Sequence, residues 1–240
     1  MTLLKFFAKP ITGIIHIGAH EAQELKEYLL CGCKDVLWVE ADPSKLDFLT
    51  EKIKSHPDMR IGIFAASDTD NETQILNIAN NEQSSSLLDF GTHSDTHRDT
   101  VYIQTIPVKT QRVDTWIKTL DVDNTIYNAA NIDVQGYELK VLKGMSSCLS
   151  RLKVIELEVN TEEVYKGCAL IHEIDDYLSH YKFRRVYVNM WGQGYGSALY
   201  LYKPNISDLL VSFLSILTYS IRKAREKVLS KISYNIYKSS

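Results

Sequence analysis

The side chains best placed to do chemistry are three carboxylates. Asp133 stands in Asn131-Ile132-Asp133-Val134-Gln135-Gly136-Tyr137-Glu138, and Glu156 and Glu158 stand in Ile155-Glu156-Leu157-Glu158-Val159. Each group falls in an apolar run with the length of a buried strand, Ala129 to Asp133 and Val154 to Val159. A repeat of two puts Glu156 and Glu158 on one face. A core strand flanked by helices does not bury carboxylates unless they are paired, metal-bound or at a cleft. Asp133 lies at the carboxyl end of its strand, where open α/β sheets place their ligands. Neighbouring strands run roughly 4.8 Å apart, so Asp133 and Glu158 are expected to converge at the cleft edge. Such a pair supplies a general base, or holds Mg²⁺ or Ca²⁺ through oxygen ligands. The structural alternative is that the two glutamates cap a neighbouring segment or pair with Lys or Arg.

A second stretch must position a ligand beside them: Gly13-Ile14-Ile15-His16-Ile17-Gly18-Ala19-His20-Glu21-Ala22-Gln23. It reads as a strand buried on both faces, a small-residue turn at Gly18 and Ala19, and a helix with Ala22, Leu25, Tyr28 and Leu29 on one face. Free N–H groups at that helix start are expected to face a ligand. Val36-Leu37-Trp38-Val39 follows as a second strand and ends in Glu40, roughly 20 residues past the turn, where an acid binds ribose hydroxyls. A dinucleotide site needs G-x-G-x-x-G for its pyrophosphate, and here those positions are Gly18, His20 and Gln23. S-adenosylmethionine carries the same ribose and adenine without a phosphate and tolerates a bulkier turn. The bland reading is that Gly18 and Ala19 only let helix pack on strand. His20 is a further candidate base, or a cap for the first helix.

The elements that hold these residues alternate along the chain. Asp42-Pro43 opens a helix carrying Leu46, Leu49 and Ile53. Arg60 to Ala65 is a third strand, ending at Ala66-Ser67-Asp68. Residues 68–100 are polar and irregular, with a strand at Gln74–Ile78, and form either a mobile segment or a lid inserted in the domain. Val101 to Val108 alternates as a strand whose Pro107 argues for an edge. Helices follow over Asp114 to Leu120, at Leu139, Leu142 and Met145, and at Ile171, Ile174, Leu178 and Tyr181. Phe183–Val188 and Ala198–Tyr202 form a hairpin around Gly192, Gly194 and Gly196. The expected fold is an α/β doubly wound, Rossmann-like sheet closed by a C-terminal antiparallel β-hairpin, a feature typical of methyltransferase sheets.

Composition sets the bounds. The 240 residues suffice for one large α/β domain; 45% are hydrophobic and 24% charged. A net charge of −3 argues against broad nucleic-acid affinity. Cys31, Cys33, Cys148 and Cys168 form no C-x-x-C, so neither a zinc site nor a redox motif is signalled. Lys9-Pro10 interrupts the first apolar residues before a signal-peptide core forms, and no apolar run reaches the roughly 18 residues of a membrane span. A cytoplasmic protein is the expectation.

These blocks together resemble the FkbM family of S-adenosylmethionine-dependent methyltransferases. The resemblance is carried by His16-Ile17-Gly18-Ala19-His20, Trp38-Val39-Glu40-Ala41-Asp42-Pro43, Asn131 to Glu138 through Lys143-Gly144, Glu156-Leu157-Glu158-Val159 and Gly196-Ser197-Ala198-Leu199-Tyr200. It covers roughly residues 11–203. It implies a class I methyltransferase fold and transfer of a methyl group, usually to a hydroxyl, often on a sugar or secondary metabolite. The chain departs from the usual patterns at His16, where many class I enzymes carry an acid, at Ala22, where the turn's last small residue is often Gly, and at Gln135 in Asp133-Val134-Gln135-Gly136. The expected cofactor-binding residues are His16, Gly18, Ala19, His20, Glu40, Ala41, Ala66, Ser67 and Asp133; the expected catalytic residues are Asp133, Glu158 and His20. No metal ligands are assigned, although a divalent cation between Asp133 and Glu158 is the alternative to a proton. The rival to an enzyme is a non-catalytic nucleoside-binding or assembly protein that keeps the fold.

Four further features remain. His93-Ser94-Asp95-Thr96-His97 has H-x-x-x-H spacing but reads as a solvated loop without a third ligand. Ser84-Ser85-Ser86-Leu87 reads as part of a lid or as a flexible turn, and Trp191 and Tyr195 either stack on a sugar face or pack on their own strands. Beyond Lys203-Pro204, residues 204–240 form an apolar helix running into a basic segment, which either lies on an acidic membrane surface or packs on the domain or in a homodimer.

Overall fold

The structure, a computed structural model, describes residues 2–7, 9–192, 194–219 and 221. After a 3₁₀ turn at Leu3–Phe6 the chain runs β1 (Gly13–Ile17), α1 (Leu25–Leu30), β2 (Asp35–Glu40), α2 (Leu46–Ile53), β3 (Arg60–Ile63), β4 (Ala65–Ala66) and β5 (Thr73–Ala79). It continues through α3 (His93–Thr96), β6 (Tyr102–Gln111), α4 (Val113–Trp116), β7 (Tyr127–Ile132), α5 (Glu138–Gly144) and α6 (Ser146–Leu149). Then come β8 (Val154–Asn160), α7 (Ile171–His180), β9 (Phe183–Met190) and β10 (Tyr195–Tyr202). A last helix, α8, covers residues 206–219.

The main sheet has the order β3-β2-β1-β7-β8-β10-β9. Strand β1 sits between β2 and β7, parallel to both, and all five of its residues are buried. Its Ile14-Ile15 and Ile17 feed opposite faces, where two large apolar cores form. Only β10 runs antiparallel, to β8 on one side and β9 on the other. The order reverses between β1 and β7, which opens a crevice beyond their carboxyl ends.

Three expectations are corrected. The single third strand is split: β3 stays in the main sheet, while Ala65 and Ala66 turn away and pair with Thr110 and Gln111 of β6 in a second sheet, β4-β6-β5. Residues 68–100 are therefore not loose. Their strand β5 pairs with β6 over seven positions and builds an arm beside the crevice. Pro107 faces Ile75 of β5 on one side, and β4 is too short to reach it on the other, so its missing N–H leaves no gap in the ladder. The first helix is also shorter than its periodicity predicts. His20 and Ala22 take left-handed backbone, at φ 43° and 48°, and helix begins only at Leu25. Ala22 still packs inward with Leu25 and Tyr28, while Leu29 is left exposed.

Residues at the amino terminus join the same body. Leu3, Leu4 and Phe6 are buried in the second core. The segment is held by Glu156, whose Oε2 accepts from the Leu3 N–H at 2.7 Å, the Leu4 N–H at 3.2 Å and the Thr2 hydroxyl. For Glu156 the capping alternative is thus the one realised, in the manner of a side chain filling the orphan N–H groups of a helix start.

Candidate active site

The cofactor side of the crevice is built mainly by backbone. Gly18 has φ 88°, and a Cβ there would lie 1.8 Å from the Asp133 carbonyl oxygen, so only glycine lets the turn meet the end of β7. The turn's N–H groups are not free, contrary to expectation. Gly18 and Ala19 both donate to the Val39 carbonyl, at 2.9 and 3.0 Å, and His20 donates to Glu40 Oε2 at 2.7 Å. The second Glu40 oxygen accepts from the Asp42 N–H at 2.8 Å. Burial raises the Glu40 pKa and these two N–H donors oppose it. The arrangement sets a carboxylate on the crevice wall and engages the Gly18, Ala19 and His20 amides within the protein.

His16 braces this turn from behind. Its Nδ1 lies 2.8 Å from the Tyr28 hydroxyl and its Nε2 lies 3.2 Å from the Gly18 carbonyl oxygen. A carbonyl only accepts, so Nε2 carries the proton and Nδ1 accepts from Tyr28, a tautomer assigned from the partners. Asn131 Nδ2 donates to the same Tyr28 oxygen at 2.7 Å, and the His16 ring packs on Trp38 at 4.8 Å. Burial lowers the His16 pKa and favours the neutral ring. His16 borders the cavity, but both of its nitrogens are engaged by the protein.

The opposite side is built by side chains. Gln135, held at φ 55°, donates from its single Nε2 to Asp133 Oδ1 at 2.6 Å and to Glu158 Oε2 at 2.5 Å. Asp133 and Glu158 are therefore no further apart than these two hydrogen bonds laid end to end. The Gln135 Oε1 accepts from the Tyr165 hydroxyl at 2.5 Å, and its backbone carbonyl accepts from the Ser86 hydroxyl at 2.7 Å. Burial, together with the charge of Asp133, pushes the Glu158 carboxyl well above the usual glutamate range. Glu138 is buried too, pushed up to about 7 by burial and by Asp133, and its Oε1 accepts the Val134 and Gly136 N–H groups at 3.1 Å each. The position between the carboxylates is filled by amide N–H donors, which a cation would have to displace. The residues as arranged do not fit the expected divalent ion.

Other candidates fall in different places. Gly18, Ala19, His20, Glu40, Ala41, Ala66, Asp133 and Glu158 border one cavity of about 430 Å³, within the range of small-molecule sites. Ser67 does not. Its N–H donates to Gln111 and its carbonyl abuts Gly144, where a Cβ would sit 1.8 Å away; it joins the arm to α5. His20 neither caps α1 nor meets the carboxylate pair in any hydrogen bond among the described residues. Its Nε2 faces Glu82 at 3.5 Å, and Glu82 also binds Lys45 at 2.5 Å.

Ser84 to Leu87 form the cavity wall on the arm side. His93 and His97 are not in a solvated loop. His93 stacks on Phe90 at 4.5 Å, Phe90 stacks on Tyr102 at 3.9 Å, and His97 Nε2 lies 3.1 Å from the Tyr195 hydroxyl. That contact ties the arm to the β9–β10 hairpin. Trp191 stands edge-on to Tyr195 at 6.3 Å and is half exposed at the mouth. Sequence reasoning missed Gln135, Tyr165 and Glu138 as site residues. Gln135 carried a signal, a glutamine where the resembling family often has glutamate. Tyr165 carried none.

A seven-stranded sheet of this order with an antiparallel strand beside its last, and an acid at the end of β2, is the architecture of class I methyltransferases, which use S-adenosylmethionine. Residues 16–185 match the methyltransferase FkbM domain, and the chain belongs to that family. Among solved structures it is similar to precorrin-6y C5,15-methyltransferase of Geobacter metallireducens, with 12% identity, 84% of this chain and 85% of that one covered, and a TM-score of 0.46. It is also similar to a SAM-dependent methyltransferase of Aquifex aeolicus, with 12% identity, 83% and 86% covered, and a TM-score of 0.45. TrmK of M. capricolum, solved with S-adenosyl-homocysteine, aligns at 7% identity over 81% and 63%, with a TM-score of 0.46. No curated protein matches the chain.

Proposed function

We propose that this methyltransferase acts on a hydroxyl of a sugar or another small polyhydroxylated acceptor, with Asp133 as the base. The carrying observation is the carboxylate pair joined by Gln135 on the wall of the cavity that Glu40 also borders. S-adenosylmethionine, when bound, supplies a sulfonium methyl that is already electrophilic. Small residues at Gly18, Ala19, Ala41 and Ala66 leave room for it, and Glu40 is the acid for its ribose hydroxyls. The lack of free amides in the turn suits a ligand without phosphate.

What remains for the protein is to orient the acceptor and take its proton. Burial and the charge of Asp133 favour the protonated form of Glu158, which leaves Asp133 as the member of the pair assigned as base. Gln135 holds Asp133 in place. Asp133 would take the acceptor's O–H proton on one of its carboxylate oxygens when the hydroxyl is methylated. Trp191 and Tyr195 offer ring faces and edges at the mouth for an apolar sugar surface. Calorimetric titration with S-adenosylmethionine and S-adenosylhomocysteine, followed by methyl transfer from labelled cofactor to a panel of sugars and polyols, tests the reading. Cofactor binding with transfer only to amines or thiols overturns the hydroxyl assignment. Tight dinucleotide binding with no response to either sulfur compound overturns the cofactor, and cofactor binding without transfer to any acceptor supports the non-catalytic alternative.

A further inference from the structure

The helix α8 is turned the wrong way round for a soluble domain. Toward the body it presents Asp208, Ser212, Ile216 and Tyr219. Asp208 pairs with Lys9 at 3.0 Å, Ser212 donates to the Phe6 carbonyl at 3.3 Å, and Tyr219 packs edge-on to Phe6 at 5.5 Å under the Lys5 ammonium. Toward solvent it presents Ile206, Leu209, Leu210, Phe213, Leu214, Leu217 and Ile221, all exposed, Phe213 at 62%. Their spacing of three and four residues makes one continuous apolar stripe. A helix held through Asp208, Ser212, Ile216 and Tyr219 while a second, apolar row faces solvent marks an interaction surface.

We propose that α8 docks the protein on an anionic membrane surface, its apolar row entering the boundary between headgroups and acyl chains. Charge selects this occupant. The sequence that follows, residues 222–240, carries Arg222, Lys223, Arg225, Lys227, Lys231 and Lys238 against one acid, Glu226. An apolar helix face next to a basic segment is the combination that binds acidic lipid. Among the described residues no helix is long and apolar enough to cross a membrane. This proposal does not rest on the hydroxyl acceptor or on the cofactor.

Flotation of the full chain with phosphatidylcholine vesicles, with and without phosphatidylglycerol, tests it. The protein is expected to float with the anionic vesicles and to fall off as salt rises. L210E/F213E/L214E is expected to abolish flotation; because these side chains face solvent, its thermal unfolding midpoint is expected to stay unchanged. Replacing Arg222, Lys223, Arg225 and Lys227 with Gln is expected to weaken anionic-vesicle binding about fivefold per charge. Failure to float, equal binding to neutral vesicles, or binding that survives the triple substitution overturns the proposal. So does a dimer in analytical ultracentrifugation that the triple substitution splits without any vesicle binding.

Discussion

The two walls of the cavity are made by different means. On the cofactor wall, Gly18 and Ala19 are locked to β2 by main-chain hydrogen bonds to Val39, and the Glu40 side chain is fixed by the backbone N–H groups of His20 and Asp42. On the acceptor wall, Asp133 and Glu158 are joined by one glutamine side chain, itself held by Tyr165 from the loop after β8 and Ser86 from the arm. A wall made of backbone presents nearly the same shape for many side-chain choices. A wall made of side chains changes with each substitution. On the proposed function the first wall binds the cofactor and the second does the acceptor chemistry, so the two should be separable by mutation.

The largest effect is expected for Asp133→Asn. It keeps the shape and removes the base, so turnover should fall on the order of 10²-fold or more while calorimetric affinity for S-adenosylhomocysteine stays within about twofold. Equal losses in both would break the division. Glu40→Ala is its mirror image. Cofactor binding should weaken by about 1.5–3 kcal/mol, the range for hydrogen bonds to a charged group, with turnover at saturating cofactor far less affected.

Glu156 sharpens the contrast, because it shares a strand face with Glu158 and yet serves the fold. Burial lifts its pKa from 4.5 to about 7. A carboxyl that is raised in the folded state binds its proton more tightly there than in the unfolded chain. Stability tied to it is therefore present at low pH and declines as pH rises from about 4.5 to about 7, by at most about 1.4 kcal/mol per unit. Glu156→Gln keeps a carbonyl oxygen for the Thr2, Leu3 and Leu4 donors. Denaturant unfolding across that window should lose the Glu156 share of the slope, with methyl transfer unchanged. The smallest effect is expected for Tyr165→Phe, which deletes one hydrogen bond to Gln135. Turnover should fall about fivefold, near 1 kcal/mol, and cofactor affinity should not respond.

Much of this molecule is legible along the chain. The buried runs of β1, β2, β7 and β8, the Gly18 turn and Glu40 follow from local patterns: apolar period, small residues and a fixed offset. Asp133 beside Glu158 follows from adjacency of two parallel strands, which the α/β order implies. These are short-range or topological features, and sequence carries both. What it does not carry is which surplus hydrogen-bonding group meets which. His16 reads as a cofactor contact but is consumed by Tyr28 and Gly18. Ser67 reads as a strand-end ligand residue but is covered by Gly144. The H-x-x-x-H segment reads as solvated but stacks with Phe90 and reaches Tyr195.

Sequence by itself therefore determined the sheet, the crevice and the acids that border it, because each rests on periodicity and on chain order. Both glutamates border the cavity, and only the tertiary structure decided that Glu156 clamps the amino terminus while Glu158 is tied to Gln135, although both sit on one face of one strand. The physical reason is that a buried carboxylate takes its role from the donors that reach it. For Glu156 those come from residues 2–4, more than 150 positions away along the chain. For Glu158 the donor is Gln135, 23 positions away. No local pattern encodes such meetings; they exist only once the chain has closed.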